Sequence, residues 1–358
     1  MIDRGSPKTS RPVGWSWSLV TRRVVAILIV ISLALVLLGI LAWQTNIRAR
    51  LFEDWRWYHD GAVRLMSGER LYDPVYLHGP YDQADPAVMG KYNQWPALAV
   101  SLVPFEMTVP EPLREPVWGL VMAAMLVTAF GLVWPRRPQP LTATALALIV
   151  ALVPATWLAF RTANFASAVA LGVSLSIVGQ RRRSTGLIAI GLLLAGIAKI
   201  LPAVPLVLWL VVRHRQWRPV AVAVVAGAAL TAIAVALQGP SVLTDFVAAS
   251  ASQLPLEQWT NVAPAYLLAP FLGALALPVS LLTAIGLGAA ALRPQTSDGA
   301  SLLLLTTASC LVMPTTHVFW WLSPMVVAIA YYGDRIAGWL GLLFDWRAVP
   351  RAHDEARS

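Results

Sequence analysis

A single cysteine, Cys310, in 358 residues leaves no partner for an intrachain disulfide and argues against a cysteine metal cluster. The five histidines (His59, His78, His214, His317, His353) show no metal-ligand spacing. Charge is scarce as well: 13% of the residues are Asp, Glu, Lys or Arg, where soluble domains carry roughly 25%. No fixed-period repeat is visible, and no composition shift marks a second domain. A disulfide-stapled domain, a cysteine zinc module and an ordinary water-soluble enzyme are therefore set aside.

What is there is apolar: 58% of the chain. Val24–Trp43, "VVAILIVISLALVLLGILAW", supplies the roughly 20 apolar residues of a membrane crossing. It is too long for a signal-peptide core and lacks a clean small-residue cleavage site, so it reads as a retained first helix. Further helices are expected near 116–134, 141–160, 165–180, 184–198, 200–212, 219–238, 274–292, 300–313 and 318–333. The expected fold is an all-α polytopic membrane protein of about ten spans in one domain, 21–346, between polar tails at 1–20 and 347–358. "WPALAVSLVPF" (95–105) fits poorly. It is read as a short re-entrant or interfacial helix, or as a span that breaks the charge alternation once.

The net charge of +9 suggests nucleic acid at first, but topology accounts for it, and no nucleic-acid partner is expected. Arg22-Arg23, Arg136-Arg137, Arg181-Arg182-Arg183, "RHRQWR" at 213–218, Arg293 and Arg335 with the tail fall in alternate links. The positive-inside rule makes that side cytoplasmic, both termini included. The opposite side receives a large first outer loop, 44–115, and the turns at 161–164, 199–202, 239–262 and 314–317.

The polar residues that sit oddly in so apolar a chain share that outer side: Asp54, Tyr58, His59, Asp60, Tyr92, Arg161, Asn164, Lys199, Asn261 and His317. Ionisable groups at membrane depth are costly and usually functional. Asp54 is the sharpest candidate for a general base. With 54–66 helical, it neighbours Tyr58 at i+4, above open space left by Gly61 and Ala62; capping of the helix start is the plainer role for it. Asp60 also reads as a solvated loop charge, and Asp73 as a turn former before Pro74. Lys199 and Arg161 each read as a cation for a phosphate or as a snorkelling base. His317 is a ligand contact or a polar interface residue beside the interfacial anchors Trp320 and Trp321. Helix caps or turns account for Asn164 and Asn261 equally well.

In order, "EDWRWYHDGAVRLMSGERLYDP", "YNQWPALAVSLVPF", "GIAKILPAVPLVLWLVVRHRQWR" and "MPTTHVFWWLSPM" resemble glycosyltransferase family 87 over roughly residues 50–335. The resemblance implies a GT-C-like helical bundle and transfer of a sugar, mannose foremost, from a polyprenyl-phosphate donor to a lipid or glycan acceptor among membrane lipids. It implies Asp54 as catalytic base, followed by Trp55 and Tyr58, with Lys199 and His317 in the family's later motifs. No metal and no cofactor is called for. The chain departs from the family at Arg161-Thr162 (often Gly-Gln), at Tyr92-Asn93-Gln94-Trp95-Pro96 (often Tyr-Pro-Pro) and at Ala263 (often Ser). The rival readings are a transporter or flippase of lipid-linked sugars, which would want charged or broken helices at the bilayer midplane, and a non-catalytic scaffold subunit.

Overall fold

A computed structural model describes residues 51–79, 91–135, 140–252, 263–312 and 317–344. The expected first span at 24–43, both tails and Asn261 lie outside the described residues. Among the described residues the fold is helical, with no strand.

Proline decides where many of the helices begin. Helices α2 (Pro96–Thr108), α3 (Glu111–Val133), α5 (Pro154–Thr162) and α11 (Pro264–Leu272) each carry a proline in the first two positions. Each follows an extended residue: Trp95, Pro110, Val153 and Ala263 have ψ of 139°, 139°, 131° and 125°. In α2, α5 and α11 the proline drives that residue, its direct predecessor, out of the helical region; in α3 the proline is Pro112 and the extended residue is itself Pro110. A proline's missing N–H costs nothing in a first turn. This splits the helix expected at 141–160 into α4 (Pro140–Leu152) and α5, which meet at 58°.

Helix α1 (Trp55–Ser67) lies in the expected outer loop and buries Trp55, Tyr58, Ala62 and Leu65, one face at helical spacing. It ends on Gly68 in the left-handed conformation. Asp73 accepts from the Val75 N–H and starts a short 3₁₀ turn at Pro74–His78, as its place before Pro74 leads one to expect. Helices α6 (Ala166–Arg182) and α7 (Thr185–Ala198) touch backbone to backbone. A Cβ on Gly172 would stand 2.4 Å from the Gly191 carbonyl oxygen, an approach that only small residues permit.

Next come α8 (Ile200–Leu208) with a π-helical turn at Trp209–Arg213, α9 (Trp217–Gln238) and α10 (Ser241–Ala251). After α11 follow α12 (Ala276–Ala291), α13 (Asp298–Val312), a 3₁₀ turn at Val318–Trp321 and α14 (Leu322–Phe344). Among the described residues three stretches can cross a membrane by length and composition: Glu111–Val133, Trp217–Gln238 and Pro264–Ala291, with mean hydropathy of 2.0, 2.6 and 2.0. The bent α4–α5 pair makes a fourth if taken as one span. The segment expected at 95–105 is the 13-residue α2, about 20 Å long and so short of a full crossing.

The helices run between two chemically distinct ends. At one, Gln180 Nε2 pairs with His214 Nδ1 (2.7 Å), His214 Nε2 with Asp298 Oδ1 (2.8 Å), and Arg213 donates to the Arg293 carbonyl (3.0 Å). Tyr331 donates to Asp298 Oδ2 (3.0 Å) and Arg181 to the Ala330 carbonyl (2.6 Å). The links bearing Arg181, Arg213 and Arg293 therefore share one layer. The other ends of α6, α7 and α8 carry Asn164 and Lys199, about 25 Å away along α6. The described part of the outer loop is pinned at that far end. Arg70 grips Asp245 of α10 through two bonds of 3.0 Å, and the Leu71 N–H donates to Gln238 Oε1 (3.0 Å).

Candidate active site

The polar residues of the non-arginine end converge because four helices start there: α1 after Asp54, α6 after Asn164 and Phe165, α8 after Lys199, and the 3₁₀ turn leading into α14 after His317. Helix N-termini present unpaired N–H groups and the positive end of the helix dipole, so the shared space favours an anion.

Each position has a local cause. Pro202 stands in the first turn of α8. Had α7 run on unbroken, the Pro202 ring would have struck the Ala198 carbonyl. The chain breaks instead at Lys199, which is extended (φ −165°, ψ 129°), and the lysine is left at the tip of a helical hairpin. Ala163 adopts the left-handed conformation (φ 53°, ψ 43°) that a non-glycine residue rarely takes; the Trp118 indole N–H bonds its carbonyl at 3.0 Å. That turn delivers Asn164. The Ala166 N–H donates to Asn164 Oδ1 (2.7 Å), which fixes the amide's orientation. Asn164 Nδ2 is left to donate to Asp54 Oδ2 (2.5 Å).

Asp54 occupies the N-cap position of α1, yet its side chain makes no capping bond. Its backbone N–H donates to the Thr162 carbonyl (3.1 Å), which docks the start of α1 on the α5–α6 turn. Asp54, Lys199 and His317 each keep some exposed surface while deeply set among protein atoms, as the walls of a recess do. All three lie in links between helices. Burial pushes the Asp54 carboxyl up to about 7; the Asn164 bond draws it back, Glu53 adds to the rise, and the Thr162 bond and the Lys199 charge oppose it. Burial lowers the Lys199 ammonium to about 8 against the pull of Asp54. Burial, then the Lys199 charge, hold His317 down to about 4, so its imidazole is neutral at pH 7. Lys199 thus couples to both Asp54 and His317. Lys199 Nζ also lies 4.7 Å from the centre of the Trp320 ring, within cation–π range.

The other expected residues divide. Tyr58 is buried against Trp118 and Phe165 and accepts from the Phe165 N–H at 3.3 Å, one residue from Asn164. Arg161 lies at the rim, 5.6 Å over the Trp157 ring. His59 pairs with Glu106 (2.6 Å), a buried carboxylate also held by Arg114 at 2.9 Å. Asp60 is neither free nor solvated, since it binds Arg64 Nε (3.0 and 3.1 Å) and the Tyr92 N–H (2.8 Å). The Tyr92 hydroxyl bonds the Trp95 carbonyl (2.5 Å) and the Ala99 N–H (3.1 Å). His59, Asp60 and Tyr92 are thereby committed to bonds that hold the outer loop together. The space expected beside Gly61 is filled: a Cβ there would stand 2.2 Å from the Tyr92 ring. Glu106 and Trp320 were not expected in these roles. A lone acid inside the apolar run "LVPFEM" was the available signal for Glu106. Trp320 is no interfacial anchor, being only 5% exposed. Among the described residues no group of three His, Cys, Asp or Glu is placed to hold a metal ion.

Residues 96–324 match the family model of glycosyltransferase family 87. The chain belongs to that family; it is a membrane glycosyltransferase with a sugar donor and an acceptor as its substrates. No curated protein and no solved structure matches it. Asn164, Lys199 and His317 fall inside the match, while Asp54 and α1 precede it.

Proposed function

We propose that the protein transfers a sugar, mannose foremost, from a polyprenyl-phosphate carrier to a lipid or glycan acceptor at the extracytoplasmic face of the cell membrane, inverting the sugar and using Asp54 as general base. One observation carries this reading. Asp54, ahead of the family match, is hydrogen-bonded to Asn164 and senses Lys199, both inside the match.

The chemistry suits a single carboxylate. A sugar on a phosphate carrier has a leaving group that departs as a stabilised anion, so no acid need protonate it, unlike the paired carboxylates of hydrolases. The acceptor oxygen attacks C1, the C1–O bond to the phosphate breaks, and the acceptor proton passes to Asp54. A carboxyl held up to about 7 by burial is matched to that transfer at neutral pH. Lys199 and the converging helix N-termini face the charge that grows on the phosphate. His317, neutral, serves as a hydrogen-bonding group rather than a second cation.

The test is Asp54→Asn in membrane vesicles supplied with labelled polyprenyl-phosphomannose. The variant inserts normally and loses transfer by about 10²–10⁴-fold, the usual contribution of a general base. Undiminished transfer removes Asp54 from the mechanism.

A further inference from the structure

The Trp320 ring carries the Lys199 ammonium 4.7 Å from its centre. Its indole Nε1–H is shut off from solvent and has no acceptor among the described residues. Buried indole N–H groups ordinarily find a partner, and an unpaired one beside a candidate site calls for an explanation, a ligand acceptor among them. Lys199 is unbranched and hinged on an extended link, so its ammonium can adjust over the ring face as a ligand enters.

We propose that Trp320 is a binding residue of the phosphate subsite: its ring steadies the Lys199 ammonium, and its N–H donates to an oxygen of the anion that Lys199 attracts. This rests on the phosphate-linked donor of the reading above. The N–H lies in the ring plane and the ammonium over the ring face. The two donors therefore meet a ligand from roughly perpendicular directions. A tetrahedral phosphate has oxygens to satisfy both at once; a lone sugar hydroxyl has not. The Trp320 turn also follows directly on His317, whose ring stacks on Phe319 (5.1 Å). One short segment thereby places a cation platform and a neutral imidazole beside the same recess.

The experiment measures binding of farnesyl phosphate, farnesol and inorganic phosphate to the full-length protein in lipid nanodiscs, for the wild type, Trp320→Phe and a chain with 3-benzothienylalanine at 320. The last keeps the indole's size and ring face and lacks only the N–H, so it guards against a loss of fold. The wild type prefers farnesyl phosphate to farnesol. Both replacements weaken farnesyl phosphate by about tenfold, as for a lost bond to a charged group, and leave farnesol unchanged. Inorganic phosphate showing the same sensitivity to replacement supports the N–H donor and identifies a free anion as sufficient. Wild-type affinity for farnesyl phosphate in the benzothienylalanine protein overturns the proposal and leaves the donor reading standing. A wild type indifferent between farnesyl phosphate and farnesol removes the donor reading, and the proposal with it.

Discussion

An ionised carboxylate offers about four acceptor sites, and the polar side chains that bond Asp54 are those of Asn164 and Thr162. Burial without full compensation keeps such a group protonated to unusually high pH. In the free enzyme kcat/KM therefore rises with pH through about 7 as Asp54 ionises, and declines above about 8 as Lys199 loses its proton. Asn164→Ala deletes a bond that favours the ionised form. It moves the rising limb alkaline by about one pH unit, and a pH profile of kcat/KM reads the shift directly. The sign for stability follows from the same shift. The Asp54 carboxyl ionises near 3.8 in the unfolded chain and near 7 in the folded one, so folding bears a cost that is absent below 3.8, grows over that interval and is full above 7. Asp54→Asn sheds that cost. Its thermal midpoint in detergent lies above the wild type's at pH 8 and meets it at pH 4, whereas a purely structural Asp54 would lose stability at both.

Helices α6 and α7 hold Asn164 and Lys199 at the ends away from the arginine layer, and their mutual approach sets the distance between those side chains. A Cβ on Gly191 would stand 2.5 Å from the Gly172 carbonyl oxygen and 2.6 Å from Ser176 Oγ, so Gly191→Val forces backbone apart. It destabilises by about 1–3 kcal/mol, seen as a lower thermal midpoint, and reduces transfer as well. Gly186, with nothing within 4 Å of its Cβ position, accepts alanine without loss. At this scale most of the fold was readable in advance, because long apolar runs bounded by arginines and prolines have few alternatives to helix. The bend between α4 and α5 was missed, since hydropathy averages across a single kink. So was α10, short and set inside an outer turn. The gathering of Asp54, Asn164, Lys199 and His317 at one end was legible through topology, since charges elsewhere assigned them to it. Side-chain commitments were not legible. Nothing local in "WYHDGA" shows that Asp60 is taken by Arg64 and Tyr92, or that the Tyr92 ring fills the space at Gly61. Those contacts join residues far apart in the chain.

For the whole molecule, the decisive asymmetry is between the layer of Arg181, Arg213, His214 and Asp298 and the recess at the opposite ends of the same helices. The retention of basic links on the cytoplasmic side sets orientation in membranes, so the proposed orientation turns the recess outward, where a carrier loaded on the far leaflet would meet it. The natural cysteine, Cys310, is buried and stays silent to a bulky thiol reagent, which leaves single introduced cysteines as clean reporters. Glu69 is exposed in the outer loop just before Arg70, which grips Asp245; Arg182 is exposed at the arginine layer. A membrane-impermeant maleimide labels Glu69→Cys on intact cells and Arg182→Cys only after permeabilisation. The reverse pattern would turn the Asp54 recess to the cytoplasm, where soluble nucleotide sugars are to hand. Such a site would have no need of a lipid-linked donor, and the assignment of Lys199 to a carrier phosphate would lose its basis.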